Sequence, residues 1–182
     1  MTLQGLILVP AYNTGAVQGI LSKDGFGLGA LRDYTLVFLA GGALTYGYSA
    51  DGITYRAAIA SVTTQSILSA NKFVWFRATY ETATGKVNFA YSFDKVTWVA
   101  IGVEQTITAG AINASTSPLC VGSQGTGSIT TGKVLKGEVY AGIGGAAVLK
   151  GNFDPNNHVT GATWADLTTG VTWTANGATS IR

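Results

Sequence analysis

The pattern GALTYGYSADGITY, from Gly42 to Tyr55, returns as GKVNFAYSFDKVTW from Gly85 to Trp98. Each copy holds an alternating stretch (Leu44, Tyr46, Tyr48; then Val87, Phe89, Tyr91), a Ser-x-Asp corner, and a return opened by Ile53-Thr54-Tyr55 or Val96-Thr97-Trp98. Apolar side chains at every second position place one face of a strand against a core, and a polar corner between two such stretches predicts a β-hairpin. Each hairpin therefore has an apolar face to cover, and a second sheet is the simplest cover.

No window carries apolar residues at helical spacing with good helix formers between them, so the chain is expected to be all-β. The expected strands are Leu3 to Val9, Thr35 to Ala40, Ala43 to Ser49, Thr54 to Ala60, Phe73 to Glu81, Lys86 to Ser92, Thr97 to Val103, Ser117 to Gly122, Gly132 to Ile143, Ala147 to Asn152 and Val171 to Ala175. Ala83-Thr84-Gly85 is read as a hairpin turn, and Gly144-Gly145 as a type I′ turn with two positive φ angles. In the long strand Gly132 to Ile143, residues Leu135, Gly137, Val139, Ala141 and Ile143 form the apolar face. Glycine, threonine and aromatics run from end to end without a linker, so residues 1–182 are read as one domain. Gly122 to Ser128 is its best candidate for a mobile loop.

The chain is long enough to bury a self-sufficient core. Its one cysteine, Cys120, lies in an apolar run, rules out a disulfide within the chain, and is read as a buried, inert thiol. Only 11% of residues are charged, against about 25% in an average soluble domain. Such a neutral surface resists association weakly, so burial in an assembly and homo-oligomerisation are expected. The basic residues are scattered and the net charge is +2, which argues against nucleic acid as a partner. No apolar run approaches a membrane span. MTLQGLILVPAY has neither a basic start nor a signal-type apolar run, so synthesis and retention in a cytosol, until assembly or lysis, are expected.

Four stretches carry a family resemblance: Leu21-Ser22-Lys23 followed by the first repeat; FVWFRATYE (Phe73 to Glu81) leading into the second; LCVGSQGTG (Leu119 to Gly127); and GEVYAGIGGAAVLKGNFDP (Gly137 to Pro155), closed by GVTWTANGATSI. Together, from about Gly19 to Ile181, they resemble the concanavalin A-like lectin/glucanase jelly roll in the LamG-type form found among virion proteins of tailed bacteriophages. The resemblance implies a two-sheet antiparallel jelly-roll sandwich. It also implies a non-catalytic virion protein, a capsid decoration or tail appendage, made in the host cytoplasm and contacting other virion proteins. A carbohydrate-binding lectin module is the alternative. Members of the family usually open with a strand that pairs with the closing one; here it is missing or replaced, which leaves the edge beside Val171 to Ala175 to be capped otherwise or by a neighbouring chain.

Glucanases of this fold carry an E-x-D-x-x-E run that aims two carboxylates at one bond. No two acids here lie within two residues of each other, so a non-enzymatic role is expected. His158, in a polar loop without a nearby nucleophile, is read as a surface residue. Asp154, Asn156 and Asn157 offer oxygens for calcium, which some LamG-type relatives bind, although Asp-Pro-Asn-Asn is also a plain turn former. The two corners are shortened relatives of the sialidase Asp-box, too few for a propeller and better suited to holding a turn together. Sugar sites pair an exposed aromatic ring with hydrogen-bonding groups. Phe73, Trp75, Arg77 and Thr79 share one strand face, so Trp75, Arg77 and Thr79 are the candidate ligand platform; a buried Trp75 with Arg77 as a structural hub is the competing expectation, and Trp98, Trp164 and Trp173 carry the same ambiguity.

Overall fold

The computed structural model describes residues 1–24, 31–124, 128–144, 147–155, 163–165, 168–170 and 172–174. Among the described residues fourteen strands follow one another: β1 (Thr2–Leu8), β2 (Gln18–Asp24), β3 (Arg32–Phe38), β4 (Leu44–Tyr48), β5 (Arg56–Ile59), β6 (Val74–Tyr80), β7 (Lys86–Ser92), β8 (Val99–Ala100), β9 (Gln105–Thr106), β10 (Cys120–Val121), β11 (Lys133–Ala141), β12 (Val148–Phe153), β13 (Thr163–Ala165) and β14 (Thr172–Thr174). A seven-stranded antiparallel sheet runs in the order β12-β11-β1-β6-β7-β8, with β9 also paired to β7. A five-stranded sheet runs β10-β2-β3-β4-β5, and β13 with β14 forms a separate ribbon. The two large sheets pack as a sandwich, as the alternating stripes require, and the all-β architecture is that of a jelly roll. Helix amounts, among the described residues, to short 3-10 turns, of which Thr64–Ser66 is one.

Tyr46 and Tyr48 from the first repeat pack on Tyr80 of β6, with ring centroids 5.3 and 4.6 Å apart. Further along the core, Tyr12, Phe38 and Phe76 meet edge-to-face at 5.1–5.9 Å, the arrangement that brings ring edges against ring faces. Two of these hydroxyls find partners at the rim, where Tyr48 donates to the Thr108 carbonyl at 2.6 Å and Tyr80 to that of Gly110 at 2.8 Å, whereas Tyr46 Oη is buried without a hydrogen-bond partner.

Both repeats begin with a glycine at positive φ, 81° at Gly42 and 76° at Gly85. At Gly85 the Gly-only backbone coincides with a close approach: a methyl group there would fall 1.9 Å from the Ile107 carbonyl oxygen, where β9 docks on β7. Gly15 has nearly the same φ, 74°, and open space around it. Gly15→Ala is expected to cost only the left-handed backbone penalty of about 1–2 kcal/mol. Gly85→Ala should cost measurably more in urea unfolding, because Ile107 must also move; equal costs would place β9 elsewhere.

Several expectations are corrected. Strand β2 went unseen because it is buried on both faces and bulges at Gly19/Leu21, which erases alternation. Thr97 to Val103 shortens to the two residues of β8, and beyond Gly102, φ 75°, the chain returns to β7 as β9, which the sequence reading did not include. A bulge opposite Leu6/Ile7 drops Leu135 out of register, so Val134 rather than Leu135 packs against the core beside Val139. The β11–β12 hairpin forms, but its strands stop at Ala141 and resume at Val148, too far apart for a two-residue turn at Gly144-Gly145; Gly145 itself lies outside the described residues. Cys120 is half-buried rather than buried, since β10 is an edge strand. Of the closing segment Val171 to Ala175 the described residues are β14 (Thr172–Thr174), which pairs on one side with β13 of the same chain; Val171 and Ala175 lie outside the described residues.

Candidate functional site

The two Ser-x-Asp corners are one device used twice. In the first, Ser49 Oγ and the backbone N–H groups of Ile53 and Thr54 donate to Asp51 Oδ1 at 2.7–2.9 Å, and Thr54 Oγ1 donates to Oδ2 at 2.7 Å. In the second, Ser92 Oγ and the N–H groups of Val96 and Thr97 donate to Asp94 Oδ1 at 2.7–2.8 Å. These bonds favour the ionised form, so the Thr97 and Val96 amides hold the Asp94 carboxyl down at about 2 and Asp51 is lowered in the same way. Because the folded value lies below the unfolded one, this contribution is complete above the ordinary aspartate range and is lost as pH falls toward 2. Carboxyl-carbon NMR titration should find both groups well below about 3.9; ordinary values would show open corners.

The copies differ at the residue after the aspartate. Gly52 takes φ 80°, whereas Lys95 takes φ 65°, a conformation uncommon for a side chain of its size. Lys95 turns back across the outer face of the seven-stranded sheet. Its Nζ sits 4.9 Å from the centre of the Trp75 ring and donates to Glu138 Oε1 at 2.8 Å. Glu138 Oε2 accepts from Gln4 Nε2 at 2.6 Å and Tyr140 Oη at 2.8 Å. Trp75 is 7% exposed beneath this roof, so its ring presents no open stacking surface.

Arg77 and Thr79 lie on the same outer face and are half-buried. The Arg77 guanidinium stacks over Trp98, the last residue of the second repeat, 3.8 Å from the ring centre. Burial depresses the Arg77 pKa. Of the aromatics at this strand face, Trp75 is buried, Trp98 is half-buried under Arg77, and Phe73 is the exposed one. Lys95, Glu138 and Gln4 escaped sequence reasoning because they come from three separate segments; a lysine at the position held by Gly52 in the other copy was the one available signal.

Other candidates sit apart. Asp154 pairs with Lys136 Nζ at 3.0 Å, while Asn156, Asn157 and His158 lie outside the described residues. No three His, Cys, Asp or Glu side chains gather as metal ligands among the described residues. Trp173 is buried, donates its indole N–H to the Asn152 carbonyl at 3.0 Å and meets Phe153 edge-on, docking the β13–β14 ribbon on β12. Trp164 stands opposite it in register.

The described carboxylates are committed to turns, hydrogen bonds or cations. Besides those named, Glu104 pairs with Lys86 at 3.1 Å, Glu81 accepts from Thr84 Oγ1, and Asp33 accepts from Lys23, Asn113 and Ser115. Burial raises the Asp24 pKa, with a smaller push from the Asp33 carboxylate; its Oδ2 accepts from Gln124, while Oδ1, buried without a hydrogen-bond partner, faces Arg32 at 3.9 Å.

At the outer end of β7 the core side of the sheet is uncovered. Tyr91 and Phe93 continue the inward stripe of Val87 and Phe89, yet Phe93 is 59%, Val96 81% and Val99 46% exposed. Tyr91, Phe93 and Val99 line a shallow cleft of about 120 Å³ with Ser92, Asp94 and Thr97.

Comparison with family models finds no match, and comparison with curated proteins finds none.

Proposed function

We propose that this chain is a non-catalytic structural component of a bacteriophage virion, a capsid decoration or tail appendage built on a LamG-type jelly roll, that works by surface contact. The observation that carries it is the distribution of side chains: the described carboxylates are spent on holding the fold, while the apolar corner Phe93, Val96 and Val99 stands free on a charge-poor surface. Exposed apolar clusters of this kind mark contact surfaces. In this account the corner packs against neighbouring copies or other virion proteins, and the outer face of the seven-stranded sheet is presented outward. Mass spectrometry of density-purified particles tests the assignment: the chain should be a stoichiometric component, and its absence from particles removes the proposal.

A second reading, glycan binding by that outer face, is favoured by the Arg77–Trp98 stack beside the hydroxyl of Thr79. A glycan array probed with the assembled protein tests it, and an array without hits counts against it.

A further inference from the structure

The two repeats end in the same arrangement, an aromatic ring carrying an arginine. In the first, Arg32 lies 5.7 Å from the centre of the Tyr55 ring and faces the Asp24 carboxylate at 3.9 Å. Tyr55 Oη is also satisfied, sharing a 2.8 Å hydrogen bond with Thr35 Oγ1. Thr35 stands opposite Gly47 in the five-stranded sheet, and Arg77 stands opposite Ala90, the residue that replaces Gly47 in the second copy. The first copy is therefore closed: its cation has a carboxylate.

In the second copy the cation is better seated and the carboxylate is missing. Arg77 stacks at 3.8 Å on Trp98, but no hydrogen bond or ion pair engages its guanidinium among the described residues. Its nitrogens are not sealed off from solvent. Glu138, two strands away in the same lateral row with Gln4 between, has both oxygens taken by Lys95, Gln4 and Tyr140. A planar fork of N–H donors, oriented by an aromatic ring and left without an acceptor, matches a carboxylate presented from outside. Beside it, Ala90 and the exposed Ala100 pair across β7 and β8 as a low apolar floor, flanked by the Thr79 hydroxyl. An apolar floor with a polar rim suits the face of a pyranose ring.

We propose that Arg77, Trp98 and the Ala90–Ala100 floor form a binding site for an acidic sugar, a uronic acid unit whose carboxylate takes both arms of the Arg77 fork. The site rests on the glycan-binding reading and gives it a substrate class.

The test is an NMR titration of the arginine Nε–H signals of the full chain with D-glucuronate, D-glucose, acetate and a glutamate-containing peptide. Glucuronate is expected to move the Arg77 signal saturably, with glucose and acetate at least about tenfold weaker, since each offers half of the recognition. Arg77→Lys keeps the charge but loses the fork, and should weaken glucuronate about tenfold while thermal melting stays close to that of the parent chain. Sugar binding that leaves the Arg77 signal still overturns this site while the glycan reading survives. Binding of the peptide or acetate as tightly as glucuronate overturns the sugar assignment in favour of a protein or simple carboxylate. No response to any probe overturns the site itself.

Discussion

Asp33→Ala is expected to lower the unfolding free energy by about 3–5 kcal/mol, the range for removing one partner of a buried charged network. Asp33 is 1% exposed at the end of β3. Its carboxylate accepts from Lys23 Nζ, from Asn113 Nδ2 at 3.0 Å and from the Ser115 backbone N–H at 2.9 Å. Along the connection between β9 and β10, Ile107, Ile112 and Leu119 pack against the core, and between the last two Ser115 and Ser117 add hydrogen bonds to the Leu31 carbonyl. Removing the carboxylate leaves the Lys23 ammonium with the Ser115 carbonyl as its remaining acceptor and loosens the stretch around Ser115. Urea unfolding reads the first effect and amide hydrogen exchange the second: exchange should quicken at Ser115 more than in β6. Uniform acceleration, or a loss below about 1 kcal/mol, would mean that solvent replaces Asp33 easily.

Phe76→Ala should cost a similar amount for a different reason, about 3–5 kcal/mol from lost burial and an unfilled cavity. Phe76 is fully buried at the centre of β6, and its ring joins Phe38 of the opposite sheet at 5.1 Å and Tyr12 at 5.9 Å. Phe76→Leu retains most of the volume and should cost less than half as much. Thermal unfolding of the two variants distinguishes cavity formation from loss of a specific aromatic contact, since equal destabilisation by both would favour the latter.

The residues differ in how openly they declare these roles. Phe76 was legible because Val74, Phe76, Ala78 and Tyr80 alternate on a strand that is polar or amphipathic on its other side, and the same rule located Tyr46, Tyr48 and Phe89. The rule failed at β2, where Ser22 and Asp24 are as buried as Ile20 and Leu21 because the chain wraps that sheet on both faces. It also failed at Leu135, where one bulge exchanged inward and outward positions. Asp33 gave no signal at all: Asn113 and Ser115 come from eighty and eighty-two residues away, and Lys23 lies on β2, the strand that alternation did not reveal.

The candidate site was half visible. Arg77 and Thr79 fall on one face by strand alternation alone, and the repeat placed an aromatic at Trp98. That Trp75 is roofed over, with Arg77 stacked on the half-buried Trp98 instead, follows from Lys95, whose left-handed backbone sends its side chain over Trp75 to Glu138. Such a choice depends on three segments meeting on one sheet face, which a linear pattern does not encode.

Contact by a free apolar corner, with the Arg77 face left outward, is best tested by hydroxyl-radical footprinting of the chain in purified particles against the isolated protein. Oxidation of Phe93, Val96 and Val99 should fall sharply in the particle while Trp98 stays as reactive as in solution. Protection of Trp98 with Phe93 unchanged would reverse the orientation and contradict the account.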